Sequence, residues 1–161
     1  MQIHYCDGWF RARKRYTELW DEKKARRAYE KRKLYTVLIG DPVRPECFIE
    51  DYGTGATVEF LDDHLREPFT CAYQMKEPGR LFLTMMVERR FEGETDLVAS
   101  GTAYFIKPDG TVLAEREDFP SDGTKFRKEG RVDPSIYWED YPQFGQYEGL
   151  IRRRPVPAIK V

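Results

Sequence analysis

Residues 104–118, YFIKPDGTVLAERED, have the pattern of two β-strands joined by a tight turn. Asp109 and Gly110 are the residue types that a tight hairpin turn favours, because both tolerate the backbone angles of such a turn. Ile106 and Val112 flank the turn with β-branched side chains. The segment therefore predicts an antiparallel hairpin, and the rest of the chain extends this pattern.

Other segments of the chain are also rich in β-forming residues and are separated by turn residues. LYTVLIG (34–40) predicts the first strand of the main sheet, and the breaker DPVRP follows it. Later segments of the same kind are CFIEDYG (47–53), ATVEFLD (56–62), FTCAYQMK (69–76), LFLTMMVERRFEG (81–93), ASGTAYFIK (99–107) and VLAERED (112–118). Short strands with tight connections predict an antiparallel meander of about six to seven strands over residues 35–119. Strict alternation would place Leu81, Leu83, Met85 and Val87 on one face.

A long helix is predicted in front of the sheet, over residues 9–33. Asp7 is the expected N-cap, and neither glycine nor proline interrupts the segment. An apolar stripe at helical spacing is formed by Phe10, Tyr16, Leu19 and Trp20. The predicted fold class is therefore α+β, with this helix packed on the meander.

An irregular, aromatic-rich excursion is predicted for residues 120–151, followed by a tail over 152–161. Its large aromatic side chains are too costly to leave together in water, so they either pack on the domain or contact a partner. They are Tyr137, Trp138, Tyr141, Phe144 and Tyr147. The length of 161 residues and the 40% hydrophobic content predict a single domain, residues 1–161.

Charge is unevenly distributed along the chain. Residues 1–40 carry eleven Lys and Arg against five Asp and Glu, a net charge of +6, whereas residues 41–125 carry a net charge of −9. The overall net charge of −1 argues against a dedicated nucleic-acid binder. The basic N-terminal helix still leaves one alternative open, a nucleic-acid-associated protein that uses that helix.

The cysteine and histidine content predicts neither a metal site nor a cofactor. Cys6, Cys47 and Cys71 are odd in number and lack a CxxC pair, so we interpret them as free, buried thiols in a reducing compartment. We expect no signal peptide in MQIHYCDGWFRARKRY and no membrane span, since no apolar run approaches the length of either kind of segment. These expectations together predict a cytoplasmic protein.

Two groups of ionisable residues are candidates for a catalytic site. In DDHLRE (62–67), His64 stands beside Asp62 and Asp63, but neighbouring residues of a turn rarely converge on one substrate atom. Glu115 and Glu117 alternate along a strand and should project from one face of the sheet. We favour a solvated turn for the first group and the polar face of an edge strand for the second.

Several segments resemble immunity proteins of bacterial polymorphic-toxin and contact-dependent inhibition systems. They are FLDDHLRE, EPGRLFLT, GTAYFIKPDGTV and YWEDYPQFGQYEGLI, and the resemblance runs from about residue 35 to residue 151. It implies a cytosolic protein that is not an enzyme and that binds one cognate toxin, occluding its active site. Many such toxins are nucleases with cationic active sites, which an acidic surface on the inhibitor would suit.

Two surfaces are the candidate partner-binding sites under this resemblance, both chosen from composition. The acidic candidate comprises Asp62, Asp63, Glu67, Glu115 and Glu117. The aromatic candidate comprises Tyr137, Trp138, Glu139, Asp140 and Tyr141. Aromatic anchors would supply affinity, and charge would steer the encounter.

A further alternative is a cone-shaped α+β domain that binds a small molecule or catalyses a reaction. Such a domain would hold its ligand between the long helix and a curved sheet. Its expected lining is Trp9, Tyr16, Trp20, Met85, Met86 and Tyr104.

Overall fold

The computed structural model describes residues 1–161 and is dominated by β-strands. The strands are β1 (Ile3–Cys6), β2 (Trp9–Phe10), β3 (Arg15–Tyr16), β4 (Leu19–Trp20), β5 (Tyr35–Gly40), β6 (Pro45–Asp51), β7 (Gly55–Phe60), β8 (Phe69–Glu77), β9 (Arg80–Phe91), β10 (Val98–Ile106), β11 (Thr111–Asp118), β12 (Phe126–Arg131) and β13 (Trp138–Asp140). The helices are α1 (Glu22–Glu30), α2 (Glu148–Ile151) and a 3-10 turn at Pro134–Tyr137. No helix is long and apolar enough to cross a membrane.

One antiparallel sheet of eleven strands organises the molecule. Its strand order is β12-β11-β10-β9-β8-β7-β6-β5-β1-β4, and β13 pairs with the first residues of β9. From β5 to β12 every strand pairs with its successor in the chain, as in a meander. The β10–β11 hairpin turns at Asp109 and Gly110, where Gly110 has a φ of +92° that a side chain would oppose.

The two faces of the sheet have different environments. The inner face carries Tyr35, Val37 and Ile39 of β5 and continues through the sheet to Tyr104 and Ala114, all of which are buried. Helix α1 and residues 134–161 pack over this face, because Ala25, Tyr137, Tyr147 and Leu150 belong to the same buried cluster. The inner face therefore holds the main core of the protein.

A buried network of tyrosines attaches the C-terminal segment to the inner face. The carboxylate of Asp51 is fully buried and accepts hydrogen bonds from the hydroxyls of Tyr35 (3.0 Å) and Tyr141 (2.9 Å) and from the Gly53 backbone N–H (2.8 Å). The hydroxyls of Tyr35 and Tyr147 lie 3.2 Å apart. Every oxygen of this buried carboxylate thus has a partner, as burial of a polar group requires.

The outer face is covered at one end by the β2–β3 hairpin. Trp9 stacks on Phe48 with ring centroids 5.7 Å apart, and Cys6 and Leu38 complete this small second core. Lys14 at the hairpin tip donates to the His64 carbonyl oxygen (2.9 Å) and to Asp96 (2.7 Å). The hairpin is therefore fastened to two loops of the sheet, and the outer faces of β8–β11 extend beyond it.

The prediction of a long helix over residues 9–33 is wrong. Residues 9–20 form the β2–β3 hairpin and edge strand β4, and α1 begins at Glu22. The hairpin prevails because it lets Trp9 bury its ring on the sheet, stacked on Phe48. Asp21 is the N-cap, accepting from the Lys24 backbone N–H at 2.8 Å, so Asp7 does not have that role.

The predicted fold class is also wrong in the extent of the sheet. The sheet has eleven strands rather than six to seven, because β1, β4, β12 and β13 join the segments that the sequence indicated. Part of the predicted excursion, residues 126–131, is β12. A register shift between Ala72 and Tyr73 interrupts the alternation along β9, so that Leu83 faces inward and Met85 outward.

Candidate functional site

An apolar patch occupies the uncovered part of the outer face, across β8–β11. Met85 pairs with Phe105, Phe105 pairs with Leu113, and Val87 pairs with Ala103. Directly paired residues of antiparallel strands project from the same face, so these side chains are neighbours. The patch comprises Ala72, Met85, Val87, Ala103, Phe105 and Leu113, all partly or largely exposed. Phe105 keeps 40% of its surface in solvent, an unusual exposure for a ring in the middle of a sheet.

A hollow of about 600 Å³ continues the patch toward the loop after β11. Val87 and Ala103 form part of its floor, and Leu97, Phe119 and Pro120 add apolar walls. Charged residues also line it, and these are Arg89, Glu92, Glu115, Arg116, Glu117 and Lys125. An apolar surface with a charged rim is typical of a binding surface rather than of a solvated sheet face.

Two predicted site residues, Glu115 and Glu117, lie together in this hollow. They project from the same face, as their spacing indicated, but β11 lies between β10 and β12 and is not the expected edge strand. Glu115 forms an ion pair with Arg127 of β12, and Glu117 accepts a hydrogen bond from the Ser121 hydroxyl. The carboxylates of Glu115 and Glu117 are therefore held by neighbouring side chains and still line the open space of the hollow.

A second charged cluster lies between the patch and the β2–β3 hairpin. Arg11 of the hairpin reaches Glu50 (2.8 Å), Glu59 (3.7 Å) and Glu67 (3.0 Å). Arg89 donates to the Thr70 hydroxyl (2.8 Å) and to the Glu67 carbonyl oxygen (3.1 Å). This cluster joins the hairpin to the sheet and forms the second polar margin of the patch.

Glu59 is the least exposed carboxylate of this cluster. It is 6% exposed and accepts a hydrogen bond from the Thr70 hydroxyl at 2.5 Å. Burial raises the pKa of Glu59 to about 7, and the nearby Glu67 carboxylate adds to the rise. Thr70, Arg89 and Arg11 oppose it without cancelling it. This side chain therefore titrates near neutral pH.

The remaining acidic residues of the predicted site have local structural contacts. Asp62 accepts from the backbone N–H groups of His64 and Arg66, each at 2.9 Å, and from Arg66 Nε at 2.8 Å. Hydrogen bonds from Arg66 and His64 lower the pKa of Asp62 despite its partial burial. Asp63 is exposed in the same turn. The acidic candidate is thus divided between this turn, the Arg11 cluster and the 600 Å³ hollow.

The aromatic candidate is mainly built into the fold. Tyr137 is 1% exposed and donates to the Pro155 carbonyl oxygen at 2.9 Å, and Tyr141 donates to Asp51. Trp138 meets Phe82 edge-to-face at 5.0 Å. Glu139 forms ion pairs with Arg152 and Arg154, and exposed Asp140 lies 3.7 Å from Arg80. Of the two possibilities left open by the sequence, these aromatics pack on the domain.

The residues expected to line a ligand cavity between helix and sheet do not converge. Met85 is on the outer face, whereas Met86 and Tyr104 belong to the inner core. Trp9 packs beneath the hairpin on the outer face. The basic residues of the predicted helix are likewise divided between the hairpin and α1.

The thiols are placed for packing rather than for chemistry. Cys6, Cys47 and Cys71 are free and buried, and burial raises the pKa of each thiol to about 12. A thiol with so high a pKa holds almost no nucleophilic thiolate at neutral pH. No group of three or more His, Cys, Asp or Glu side chains is arranged to hold a metal ion.

Sequence reasoning missed the apolar patch itself. A two-residue loop at Asp109 and Gly110 would have paired Phe105 with Ala114, whereas the loop has three residues, 108–110, and pairs Phe105 with Leu113. A difference of one residue in loop length changes which side chains share a face, so the turn motif alone did not reveal the patch. The shift at Ala72 and Tyr73 also has no signal in the sequence, and it decides that Met85 belongs to the patch.

Comparisons with known proteins add no relative from which a function could be transferred. No family model, curated protein or solved structure matches this chain.

Proposed function

We propose that this protein is a cytoplasmic immunity protein that binds one cognate bacterial toxin and occludes its active site without performing catalysis. The observation that carries the proposal is the apolar patch on the outer face, which remains open while the inner face of the same sheet is covered. Exposed apolar surface of this kind, rimmed by charge, is characteristic of protein–protein recognition. The sequence resemblance over residues 35–151 supports the same class.

The construction of the patch suits tight binding. Its side chains are carried on four adjacent strands of one continuous sheet, so little conformational freedom remains to be lost on association. Phe105 is the natural anchor, because it is the large aromatic side chain at the centre of the patch and is 40% exposed.

The charged rim indicates what the toxin presents. Glu115 and Glu117 line the hollow beside the patch, together with apolar side chains and the basic side chains of Arg89 and Lys125. This arrangement fits a cationic side chain flanked by apolar residues, which is a feature of the nucleic-acid-binding sites of nucleases. A nuclease toxin is therefore the partner we propose, with Glu115 and Glu117 replacing substrate phosphates.

The test is to co-express the chain with the product of the adjacent reading frame and to measure both co-purification and rescue of growth. Phe105→Glu should abolish both, since it places a charge at the centre of the contact. Phe126→Glu is the matched control, because Phe126 is 45% exposed but lies on the opposite face of β12. It should bind and rescue as the unmodified chain does.

Three outcomes would contradict the proposal. The first is an unmodified chain that neither binds nor rescues. The second is Phe105→Glu rescuing as well as Phe126→Glu, which would place the contact elsewhere. The third is self-association of the purified chain that Phe105→Glu abolishes, since the patch would then be an interface between two copies.

A further inference from the structure

A second hollow, of about 290 Å³, lies at the end of β9 and β10 beneath the C-terminal segment. Strand register places Glu88 beside Thr102 and Arg90 beside Ser100. The full lining is Pro68, Phe69, Glu88, Arg89, Arg90, Ser100, Thr102 and Arg153. Three arginines and one glutamate line this hollow, whereas acidic and basic side chains are equal in number around the one that contains Glu115 and Glu117.

Arg153 is exposed and stacks on two aromatic rings without an ionic partner. Its guanidinium carbon lies 4.0 Å from the centroid of the Phe69 ring and 5.1 Å from that of Phe60. Stacking on aromatic rings occupies the flat face of a guanidinium and leaves its N–H edge free to bind. No carboxylate lies within 4.0 Å of its nitrogens, in contrast to the neighbouring Arg152 and Arg154.

Apart from Arg89, which donates to Thr70 and to the Glu67 carbonyl oxygen, the other side-chain donors of the hollow are unpaired as well. Arg90 is exposed and has neither a salt bridge nor a side-chain hydrogen bond within the chain, and the partly exposed hydroxyls of Ser100 and Thr102 have no hydrogen-bond partner in it. Two guanidinium groups and two hydroxyls therefore line the same small space. Convergent donors of this kind match the oxygens of a carboxylate or a phosphate, both of which guanidinium groups bind in a bidentate manner.

We infer that this hollow is an oxyanion-binding site, in which Arg153 and Arg90 hold a carboxylate or phosphate group and Ser100 and Thr102 donate to its remaining oxygens. Glu88 also lines the hollow, where its carboxylate accepts a hydrogen bond from the Tyr104 hydroxyl at 3.2 Å, and the two guanidinium groups outnumber it. The inference does not depend on the proposed function, because the residues involved are not those of the apolar patch.

Isothermal titration at constant ionic strength tests the site with two probes, inorganic phosphate and N-acetylglycine. We expect saturable binding of at least one of them, and the stronger probe identifies the ligand as a phosphate or a carboxylate. Arg153→Gln should weaken that binding about tenfold, because it removes a charge-assisted contact. Arg13→Gln, which removes an exposed guanidinium from the β2–β3 turn, should have no effect.

Two further variants separate a binding role from a structural one. Arg90→Gln should weaken binding without lowering the melting temperature, since Arg90 is exposed on its strand. Thr102→Val keeps both cations and the shape of the side chain, and should weaken binding a few-fold. The inference is overturned if the unmodified chain shows no saturable binding, or if Arg153→Gln and Arg90→Gln bind both probes as Arg13→Gln does.

Discussion

Glu59 shows most clearly how burial and neighbouring charge act on a single residue. Its folded-state pKa of about 7 lies above the ordinary value of 4.5. Between these two pH values the folded chain retains a proton that the unfolded chain has released. The free energy of unfolding contributed by this group is therefore highest at low pH and falls as the pH rises through the interval.

Glu59→Gln removes this titration, and the pH dependence of stability should change accordingly. Between about pH 5 and about pH 8, the unmodified chain should lose about 2 to 3 kcal/mol of unfolding free energy relative to the variant. Urea denaturation at several pH values measures the difference. Glu94→Gln, at an exposed loop position, is the control and should run parallel to the unmodified chain. If the unfolding free energy of Glu59→Gln varied with pH in parallel with that of the unmodified chain, Glu59 would ionise at its ordinary pKa in the fold.

At the scale of elements, the sequence predicted the central strands well and the N-terminus poorly. Strands β5–β11 coincide with segments chosen for β-branched and aromatic content, since each is bounded by turn residues. The helix prediction for residues 9–20 was wrong because Tyr16 and Trp20 have helical spacing, although Tyr16 lies in the β2–β3 hairpin and Trp20 lies in edge strand β4. The packing of Trp9 on Phe48 favours the hairpin over the helix, and this long-range contact cannot be read from the local spacing of apolar residues.

Paired cap variants test the revised start of the helix. Asp21→Ala removes the side chain that caps α1 and should cost about 1 kcal/mol of unfolding free energy. Asp7→Ala should cost less, since Asp7 is exposed and meets the Thr17 hydroxyl at the long distance of 3.5 Å. Urea denaturation of both variants measures the two costs. If Asp7→Ala lost more unfolding free energy than Asp21→Ala, a helix that starts near residue 9 would be favoured instead.

For the candidate site too, local sequence pattern predicted some features and missed those that depend on long-range contacts. The spacing of Glu115 and Glu117 correctly predicted a shared face, because alternation holds along β11. The clustering of Glu67 with Glu50 and Glu59 required Arg11, which sequence analysis had assigned to a helix. Long-range pairings of this kind are decided by the order of strands in the sheet.

At the scale of the whole molecule, the C-terminal segment makes the two faces of the sheet different. Arg154 is buried and donates to the Tyr73 hydroxyl (3.1 Å) and the Gly149 carbonyl oxygen (2.7 Å), and it pairs with Glu139. These contacts connect the segment to β8 and to β13. The inner face is closed by this segment and the outer face has no equivalent cover.

Substitutions of Arg152 and Arg154, which both pair with Glu139, measure how strongly the C-terminal segment is bound to the sheet. Arg154→Met leaves Glu139 without its buried partner and should cost about 3 kcal/mol of unfolding free energy. Arg152→Met breaks an ion pair whose arginine side chain is 68% exposed, and should cost less than about 1 kcal/mol. Denaturant unfolding compares them directly. Equal costs would mean that Arg154 contributes no more than a surface ion pair.

The central claim, that the outer face is the partner-binding surface, is tested most directly by two adjacent methionines. Met85 projects from the outer face and Met86 is buried in the inner core. In a chain labelled with 13C at the methionine methyls, addition of the adjacent-frame product should shift the Met85 signal strongly and leave the Met86 signal nearly in place. A complex that forms while the Met85 signal stays unchanged would contradict the claim.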